Sequence, residues 1–311
     1  MLSTDQSLPA PELPLGLLEF LAFRAGASVR AQRDTALQSA VLADRLGYRR
    51  CWVPEHHAAG VPSTNPLTWL PVLGSMTTRI RIGSAVSLMR LRDPHLVAED
   101  FGTAAHFCRD RLDVGLGRGD ASGAGTEVLT RHDEAATDAA MHTVVSVLEH
   151  GCGFVDPVGG TFQRWLNGSG ERSARLAGEW GFDYCHALFF NPDLDACLRP
   201  LAAYRKANPA GRTAVAVALA INEDPQRARE DGVLRGISVN CIGTAEQGAA
   251  MLLYLLSSEL IDEVVITEQS TDPADHLAAL TRLAELVGRE LVGRERPTAD
   301  RATGTLTAAA V

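Results

Sequence analysis

The stretch LADRLGYRRCWVPEHH, from Leu42 to His57, joins the end of a helix to a strand and to a polar strand end. The helical pattern over Arg33–Leu46 stops at Gly47, and glycine commonly follows the last turn of a helix. The largely apolar run Arg50–Pro54 then predicts a strand that is buried on both faces, as strands of parallel sheets are. A helix followed at once by such a strand is the repeating unit of an alternating α/β fold.

Working outward from this stretch, the same unit recurs along the chain. The predicted strands are Leu15–Phe23, Arg50–Pro54, Ile80–Ser87, Leu112–Leu116, Phe162–Asn167, Asp183–Phe189, Ala214–Ile221 and Glu263–Thr267. The predicted helices are Arg33–Leu46, Pro66–Thr77, Pro94–Phe107, Glu134–His150, Glu171–Trp180, Pro192–Ala207, the pair Pro225–Glu230 and Thr244–Ser258, and Pro273–Glu290.

Eight strand–helix units in succession favour an α/β fold of the (β/α)₈ TIM barrel type, although an open doubly wound sheet would give the same alternation. Barrels of this kind commonly occupy a chain of this length as one domain. We therefore expect residues 13–292 to form a single barrel domain. Residues 1–12 and 293–311 are rich in small and polar residues, and we expect a frayed N-terminus and a disordered tail.

The composition limits the classes of function. Hydrophobic residues make up 46% and charged residues 22%, which is typical of a globular protein, and the net charge of −9 argues against a nucleic-acid surface. Lys206 is the only lysine, so arginine side chains and backbone N–H groups are the expected donors for any phosphate. The six cysteines lack C-x-x-C spacing, and no apolar run is long enough to span a membrane. We expect a cytoplasmic protein with no nucleic-acid or membrane partner.

Ionisable residues follow the second predicted strand as Glu55-His56-His57. Reactive side chains of barrel enzymes lie just past the C-terminal ends of the strands, and adjacent residues point to different sides, so at most one histidine should face the barrel mouth. A metal site would need further ligands at other strand ends, and the pattern does not supply them. Proton transfer or cofactor contact is favoured, with a hydrogen-bonded loop as the alternative.

Two later strand ends carry residues suited to an anion. The segment GLGRGD at Gly115–Asp120 combines glycines with Arg118, a planar two-pronged donor for phosphate; a plain tight turn is the alternative. The segment NGSGERS at Asn167–Ser173 leads into a helix, whose N-terminus favours negative charge. A simple helix cap by Ser169 or Ser173 would also explain the second segment.

These residues resemble a known family. The stretch Leu42–His57 is similar to the LAexLGyxrxWvxEHH segment of the bacterial-luciferase-like flavin-dependent monooxygenases. Three further motifs follow in order, at Thr78–Ser84, Asp93–Phe101 and Arg111–Gly119, and the last resembles the family's GRldlGlGRG. The later half is looser: it resembles the family's phosphate loop and its vGTpEe segment at Asn167–Gly181 and Ile242–Glu246.

The resemblance implies a luciferase-like barrel that holds FMN, reduced by a separate flavin reductase. In that family reduced FMN reacts with O₂ to give a C4a-hydroperoxide, which oxidises a small organic substrate. It implies that His56 lies near the flavin and serves the proton steps, with the neighbouring His57 as the second candidate catalytic residue. The remaining residues that it places around the cofactor are Glu55, Gly117, Arg118, Gly119, Ser169, Gly170 and Ser173. Gly117 stands where the luciferases have a reactive cysteine, so luminescence is not expected.

The same resemblance leaves two alternatives open. Related barrels use the deazaflavin F420, whose polyglutamyl tail would favour extra basic residues at the barrel mouth, and the single lysine of the chain makes F420 the less favoured cofactor. The barrel would instead be a non-catalytic flavin-binding or partner subunit if the changed loop LNGSGERSA and the short segment 231–242 remove catalytic parts. Family barrels pair through the helices after the early strands, here Pro66–Thr77 and Pro94–Phe107, so we expect a homodimer. The residues do not identify the substrate.

Overall fold

Strands and helices alternate along the chain. The structure is a computed structural model that describes residues 10–20, 28–57, 65–119, 126–159, 162–233 and 237–294. The strands in these residues are β1 Leu13–Leu18, β2 Tyr48–Val53, β3 Arg81–Ser84, β4 Ser87–Leu88, β5 Leu112–Gly117, β6 Gln163–Gly168, β7 Asp183–Ala187, β8 Thr213–Ile221, β9 Cys241–Gly243 and β10 Glu263–Glu268. The α-helices are α1 Val29–Leu46, α2 Leu70–Met76, α3 Pro94–Cys108, α4 Thr126–Leu129, α5 Glu134–His150, α6 Glu171–Glu179, α7 Leu194–Ala207, α8 Pro225–Asp231, α9 Ala245–Leu256 and α10 Pro273–Arg294.

The sheet closes on itself. Parallel pairing runs in the order β1, β2, β3, β5, β6, β7, β8 and β10, and β10 pairs with β1 as well as with β8. Leu15 lies opposite Val264 at the closing seam, and Glu263 lies opposite Ala214 on the other side of β10. The expected (β/α)₈ TIM barrel is therefore confirmed, and the open sheet is wrong. The short strands β4 and β9 extend the sheet beside β5 and β8.

Local signals explain where the early helices begin and end. Ser28 caps α1 by accepting a hydrogen bond from the backbone N–H of Ala31, and Gly47 ends the helix with a φ of 87°. A Cβ at Gly47 would lie 2.1 Å from the carbonyl oxygen of Pro11, so the position requires glycine for both conformation and space. Asp93 caps α3 ahead of Pro94 at its first turn.

The interior of the barrel below its C-terminal opening is filled by two tryptophans and one arginine. Trp52 and Trp165 contact each other, and the guanidinium of Arg50 lies over both rings at 5.0 and 4.4 Å. Arg50 is fully buried and forms ion pairs with the buried carboxylates of Asp113 and Glu263. A buried cation of this kind needs such partners to offset its loss of water.

Some predicted boundaries differ from the structure. The predicted strand Ile80–Ser87 is two strands, because β3 ends at Ser84 after pairing with β2 and β5, and β4 begins at Ser87 and pairs with β5 further along. The apolar residues Ala85 and Val86 between them hide the break in the sequence. The predicted strand Asp183–Phe189 ends at Ala187 and continues as a 3₁₀ turn. The predicted helix Pro66–Thr77 is a 3₁₀ turn, Pro66–Thr68, followed by α2.

The structure describes only part of the two chain ends and of the first predicted strand. Residues 1–9 and 295–311, and residues 21–23 of the first predicted strand, lie outside the described residues. Within the described part, Glu12 forms an ion pair of 2.9 Å with Arg49, and α10 continues to Arg294. No helix in the described ranges is both long and apolar enough to cross a membrane.

Candidate active site

A cavity of about 550 Å³ opens at the C-terminal ends of the barrel strands. Its apolar wall is formed mainly by Leu18, Phe20, Val86, Leu88, Leu166 and Phe189. The sequence-selected residues that line it are Glu55, His56, Gly117, Arg118, Gly119, Ser169 and Ser173. The strand ends thus bring most of the predicted site residues together around one cavity. This is the end of the barrel at which the active sites of barrel enzymes lie.

His56, which follows β2, lines this cavity together with Glu55. Its ring lies against Phe20 with centroids 4.7 Å apart, and its Nε2 is buried with no hydrogen-bond partner. Burial lowers the pKa of His56 and outweighs the opposite effect of the Glu55 charge, so the imidazole is neutral near pH 7. A neutral imidazole with one unpartnered nitrogen can exchange a proton with a molecule in the cavity.

Glu55 and His57 contact each other. The Nε2 of His57 lies 2.6 Å from Oε1 of the fully buried Glu55 carboxylate. The other carboxylate oxygen accepts hydrogen bonds from the backbone N–H of Leu88 at 2.9 Å and from Nε of Arg92 at 2.8 Å. Glu55 therefore ties the end of β2 to the segment after β3 and fixes the backbone on both sides of His56. His57 is not among the cavity-lining residues.

The end of β5 forms a second side of the cavity. A Cβ at Gly117 would lie 2.5 Å from Cγ2 of Val86, so a side chain at this position would displace part of the cavity wall. Gly119 has a φ of 82°, a conformation that side chains other than glycine rarely adopt. Arg118 lies between these two glycines and lines the cavity. Its guanidinium pairs with two carboxylates of α5, those of Asp138 and Glu134, at 3.1 and 3.2 Å.

The N-terminus of α6 forms a third side. The residue that caps it is Gly170, and no side chain makes a capping hydrogen bond, so the alternative of a cap by Ser169 or Ser173 is wrong. Both serines line the cavity instead, whereas Gly170 is not a lining residue. A helix N-terminus without a side-chain cap leaves backbone N–H groups that can bind an anion.

The sequence of this chain matches that of a known protein family. The family profile described as luciferase-like monooxygenase matches residues 17–250. The chain belongs to this family. A luciferase-like monooxygenase of Escherichia coli (strain K12) is 31% identical over 196 residues, which cover 58% of this chain and 57% of that relative. The matched part thus spans little more than half of the relative's length.

Solved structures share the barrel. Apo-MsnO8 superposes with a TM-score of 0.76 at 23% identity and covers 89% of this chain and 98% of its own. The oxygenating constituent of 3,6-diketocamphane monooxygenase from Pseudomonas putida, in complex with FMN, superposes at 0.67 with 17% identity, covering 90% and 99%. An F420-dependent secondary alcohol dehydrogenase in complex with an F420–acetone adduct superposes at 0.68 with 16% identity, covering 89% and 99%. Such identities show the fold alone.

The cavity is also lined by a residue that the sequence analysis did not name as a site residue. Asn167, at the end of β6, lines the cavity, and its Oδ1 is buried with no hydrogen-bond partner. A polar residue at the end of an apolar strand was the available signal, because the C-terminal ends of all barrel strands meet at this cavity.

A second missed group lies behind the loop that leads into α6. The Tyr184 hydroxyl lies 3.0 Å from Nδ1 of His186 and 3.4 Å from the carbonyl oxygens of Gly168 and Gly170. Burial lowers the pKa of His186 to about 4, so this buried imidazole is neutral. The pair supports the loop from the outer face of the barrel, and nothing in the sequence pattern distinguishes it from ordinary core residues.

Proposed function

We propose that this member of the luciferase-like family is an FMN-dependent monooxygenase. It takes reduced FMN from a separate flavin reductase and uses O₂ to oxidise a small organic substrate. One observation supports this best: a single cavity combines Arg118 and the α6 N-terminus with the unpartnered Nε2 of His56. FMN has the matching chemistry, because it carries a phosphate at one end and a flat, largely apolar ring at the other.

The residues present suit both ends of FMN. Arg118, Ser169 and the α6 N-terminus offer donors to a phosphate. The backbone at Gly117 and the apolar wall leave a smooth surface for the ring, and the orphaned Oδ1 of Asn167 can accept a hydrogen bond from a ring N–H. Bound reduced FMN would supply the two electrons with which O₂ yields one oxygen atom to the substrate and one to water.

His56 serves the proton steps in this proposal. It is neutral, it faces the cavity, and its Nε2 has no competing partner in the protein. Glu55 acts on the reaction indirectly, since its carboxylate is occupied by Leu88, Arg92 and His57 and holds the backbone next to His56. His57 takes part in that support, and its position gives it no direct contact with the cavity.

F420 is the second candidate cofactor, because a barrel of the same fold acts with it. The structure disfavours this candidate on charge. The arginines at the anion end, Arg118 and Arg172, are both paired with Glu134 and Asp138, which leaves little net positive charge there for an acidic polyglutamyl tail. A non-catalytic flavin-binding subunit is the third candidate, and it differs from the others by binding flavin without altering its reaction with O₂.

We also propose that the chain forms a homodimer and acts in the cytoplasm. The helices α2 and α3 pack together and expose the apolar side chains of Val72, Met76, Leu96 and Phe107, which are 44–59% exposed. Apolar side chains exposed together on neighbouring helices favour a protein contact. All six cysteines are free thiols, which suits a reducing compartment.

Binding spectra test the proposed cofactor. Purified protein is mixed anaerobically with reduced FMN, with reduced F420 or with neither, and binding is followed by absorbance and by calorimetry. We expect binding of reduced FMN and weaker or no binding of F420. Tighter binding of F420 would replace the proposal with an F420-dependent oxidoreductase, and no binding of either would contradict a flavin function.

A further inference from the structure

Two arginines and two carboxylates form an ionic cluster at the anion end of the cavity. Arg118 follows β5, and Arg172 lies in the first turn of α6. Glu134 and Asp138 lie one helical turn apart on α5. Arg118 contacts both carboxylates, and Arg172 contacts Glu134 and lies 3.9 Å from Asp138. The four residues therefore form one connected group, of which Arg118 lines the cavity.

The carboxylates occupy most of the N–H donors that Arg118 offers to a phosphate. Nε and Nη2 of Arg118 lie 3.1 and 3.4 Å from the two oxygens of Asp138, which is the two-pronged arrangement by which arginine also binds phosphate. The third nitrogen, Nη1, lies 3.2 Å from Glu134. All three guanidinium nitrogens thus have carboxylate partners, so only two of the five N–H groups remain, and a phosphate bound to Arg118 must share the guanidinium with the carboxylates.

We propose that Glu134 and Asp138 are internal competitors for the cofactor phosphate, an inference that rests on the proposed FMN function. The formal charges of two arginines and two carboxylates sum to zero. The two carboxylates therefore balance the same positive charge that a phosphate dianion would balance. When a phosphate binds to Arg118 and Arg172, it lies beside the same two carboxylates and is repelled by them. The acidic pair therefore lowers the affinity for FMN and quickens its release.

The exposure of the four side chains suits such an exchange. Glu134 and Arg172 are 60% and 52% exposed, so they can change partners at little cost. Arg118 and Asp138 are only 20% and 23% exposed, so the repulsion between Asp138 and a phosphate is less screened by solvent. A flavin that is received from a reductase and returned to it at each turnover must leave readily, and this arrangement meets that need.

Removing the two negative charges tests the inference. The double variant Glu134→Gln/Asp138→Asn keeps the shape of both side chains, and its affinity for FMN is compared with that for riboflavin, which has the same ring but no phosphate. We expect the Kd for FMN to fall about three- to tenfold and that for riboflavin to stay unchanged. Flavin fluorescence at fixed ionic strength measures both. Glu179→Gln is the matched control, because it breaks the Arg175–Glu179 pair of 3.0 Å elsewhere on α6.

The other outcomes contradict the inference in distinguishable ways. If the double variant binds FMN more weakly or equally, the acidic pair positions the arginines or has no role, and competition is wrong. Equal shifts for FMN and riboflavin would mean that the effect does not act through the phosphate. If the parent protein binds neither oxidised flavin, and does not bind reduced FMN under anaerobic conditions, the proposed function itself fails. Should the double variant not fold, Asp138→Asn alone applies the same test, since Asp138 holds two of the three Arg118 nitrogens.

Discussion

The Nε2 of His57 lies 2.6 Å from Oε1 of Glu55, and this contact separates the roles of two adjacent histidines. His57 belongs to the group that fixes the end of β2, whereas His56 lines the cavity with an unpartnered Nε2. Replacing His57 therefore alters the support of the site, and replacing His56 alters the surface that a cofactor or substrate meets. The predictions below follow from this division and from the groups around it.

Arg118→Ala should weaken FMN binding selectively. Loss of a two-pronged phosphate contact costs about 1.5–3 kcal/mol, or roughly ten- to a hundredfold in affinity. Riboflavin affinity should change little, because riboflavin has no phosphate. Arg175→Ala, on the outer part of α6, is the control. If Arg118→Ala binds FMN as well as the parent protein does, the phosphate lies elsewhere.

Gly117→Ala should destabilise the protein by about 1–3 kcal/mol, because the added Cβ would lie 2.5 Å from Cγ2 of Val86 and would force this branched, partly buried side chain to shift. The free energy of unfolding in urea measures the effect. Gly153→Ala is the control, since a Cβ there meets no atom within 4 Å. Equal stabilities of the two variants would show that the wall at Val86 yields without cost, and a cysteine would then fit at position 117.

The stability of the protein should fall as pH rises from 6.5 to above 9. Burial alone would lower the pKa of His276, but hydrogen bonds and charges of Glu19 and Glu268 outweigh it and raise the pKa to about 9. A raised pKa means that the folded protein binds the proton more tightly, so this contribution is complete below the ordinary value of 6.5 and is lost as pH rises through 9.

The difference in free energy of unfolding between the parent and His276→Gln, measured from pH 6 to 10, isolates this effect. We expect the difference to shrink steadily over that range. His142→Gln, on the exposed face of α5, is the control variant. A constant or growing difference for His276→Gln would contradict the charged state assigned to this cluster.

The proposed dimer should depend on α2 and α3. Light scattering at micromolar concentration should give about 66 kDa, twice the 33.2 kDa of one chain. The double variant Leu96→Glu/Phe107→Glu places charges on the exposed apolar residues of α3 and should give the mass of one chain. Val292→Glu, on α10, should leave the dimer intact. A parent mass near 33 kDa would exclude the homodimer.

Much of the fold was predictable because strands of a closed parallel sheet are covered on both faces and read as continuous apolar runs. The same continuity concealed the break between β3 and β4, since Ala85 and Val86 are themselves apolar. The closure of the sheet rests on pairing between β1 and β10, which lie at opposite ends of the chain and leave no local signal.

The candidate site was predictable as a set of strand ends but not as contacts. Adjacency showed that His56 and His57 face different sides, but only the partners of Glu55 decide which of them lines the cavity. The partner of Arg118 was hidden for a related reason: Asp138 lies twenty residues away on a helix face that resembles any other solvated face. Contacts of this kind depend on how α5 packs beside β5, and the periodicity of apolar residues in the sequence does not specify this packing.

One measurement tests the central claim most directly. Reduced FMN is bound anaerobically to the parent protein and to His56→Ala at saturating flavin, each is mixed with O₂, and flavin reoxidation and H₂O₂ yield are followed. We predict that the two proteins bind reduced FMN with affinities within a few-fold of each other. The rate of flavin reoxidation in the parent protein should differ from that of free FMN. His56→Ala should change this rate by about tenfold or more and should release more H₂O₂. Reoxidation in the parent at the rate of free FMN, with no effect of His56→Ala, would contradict a catalytic monooxygenase and favour a barrel that only binds flavin.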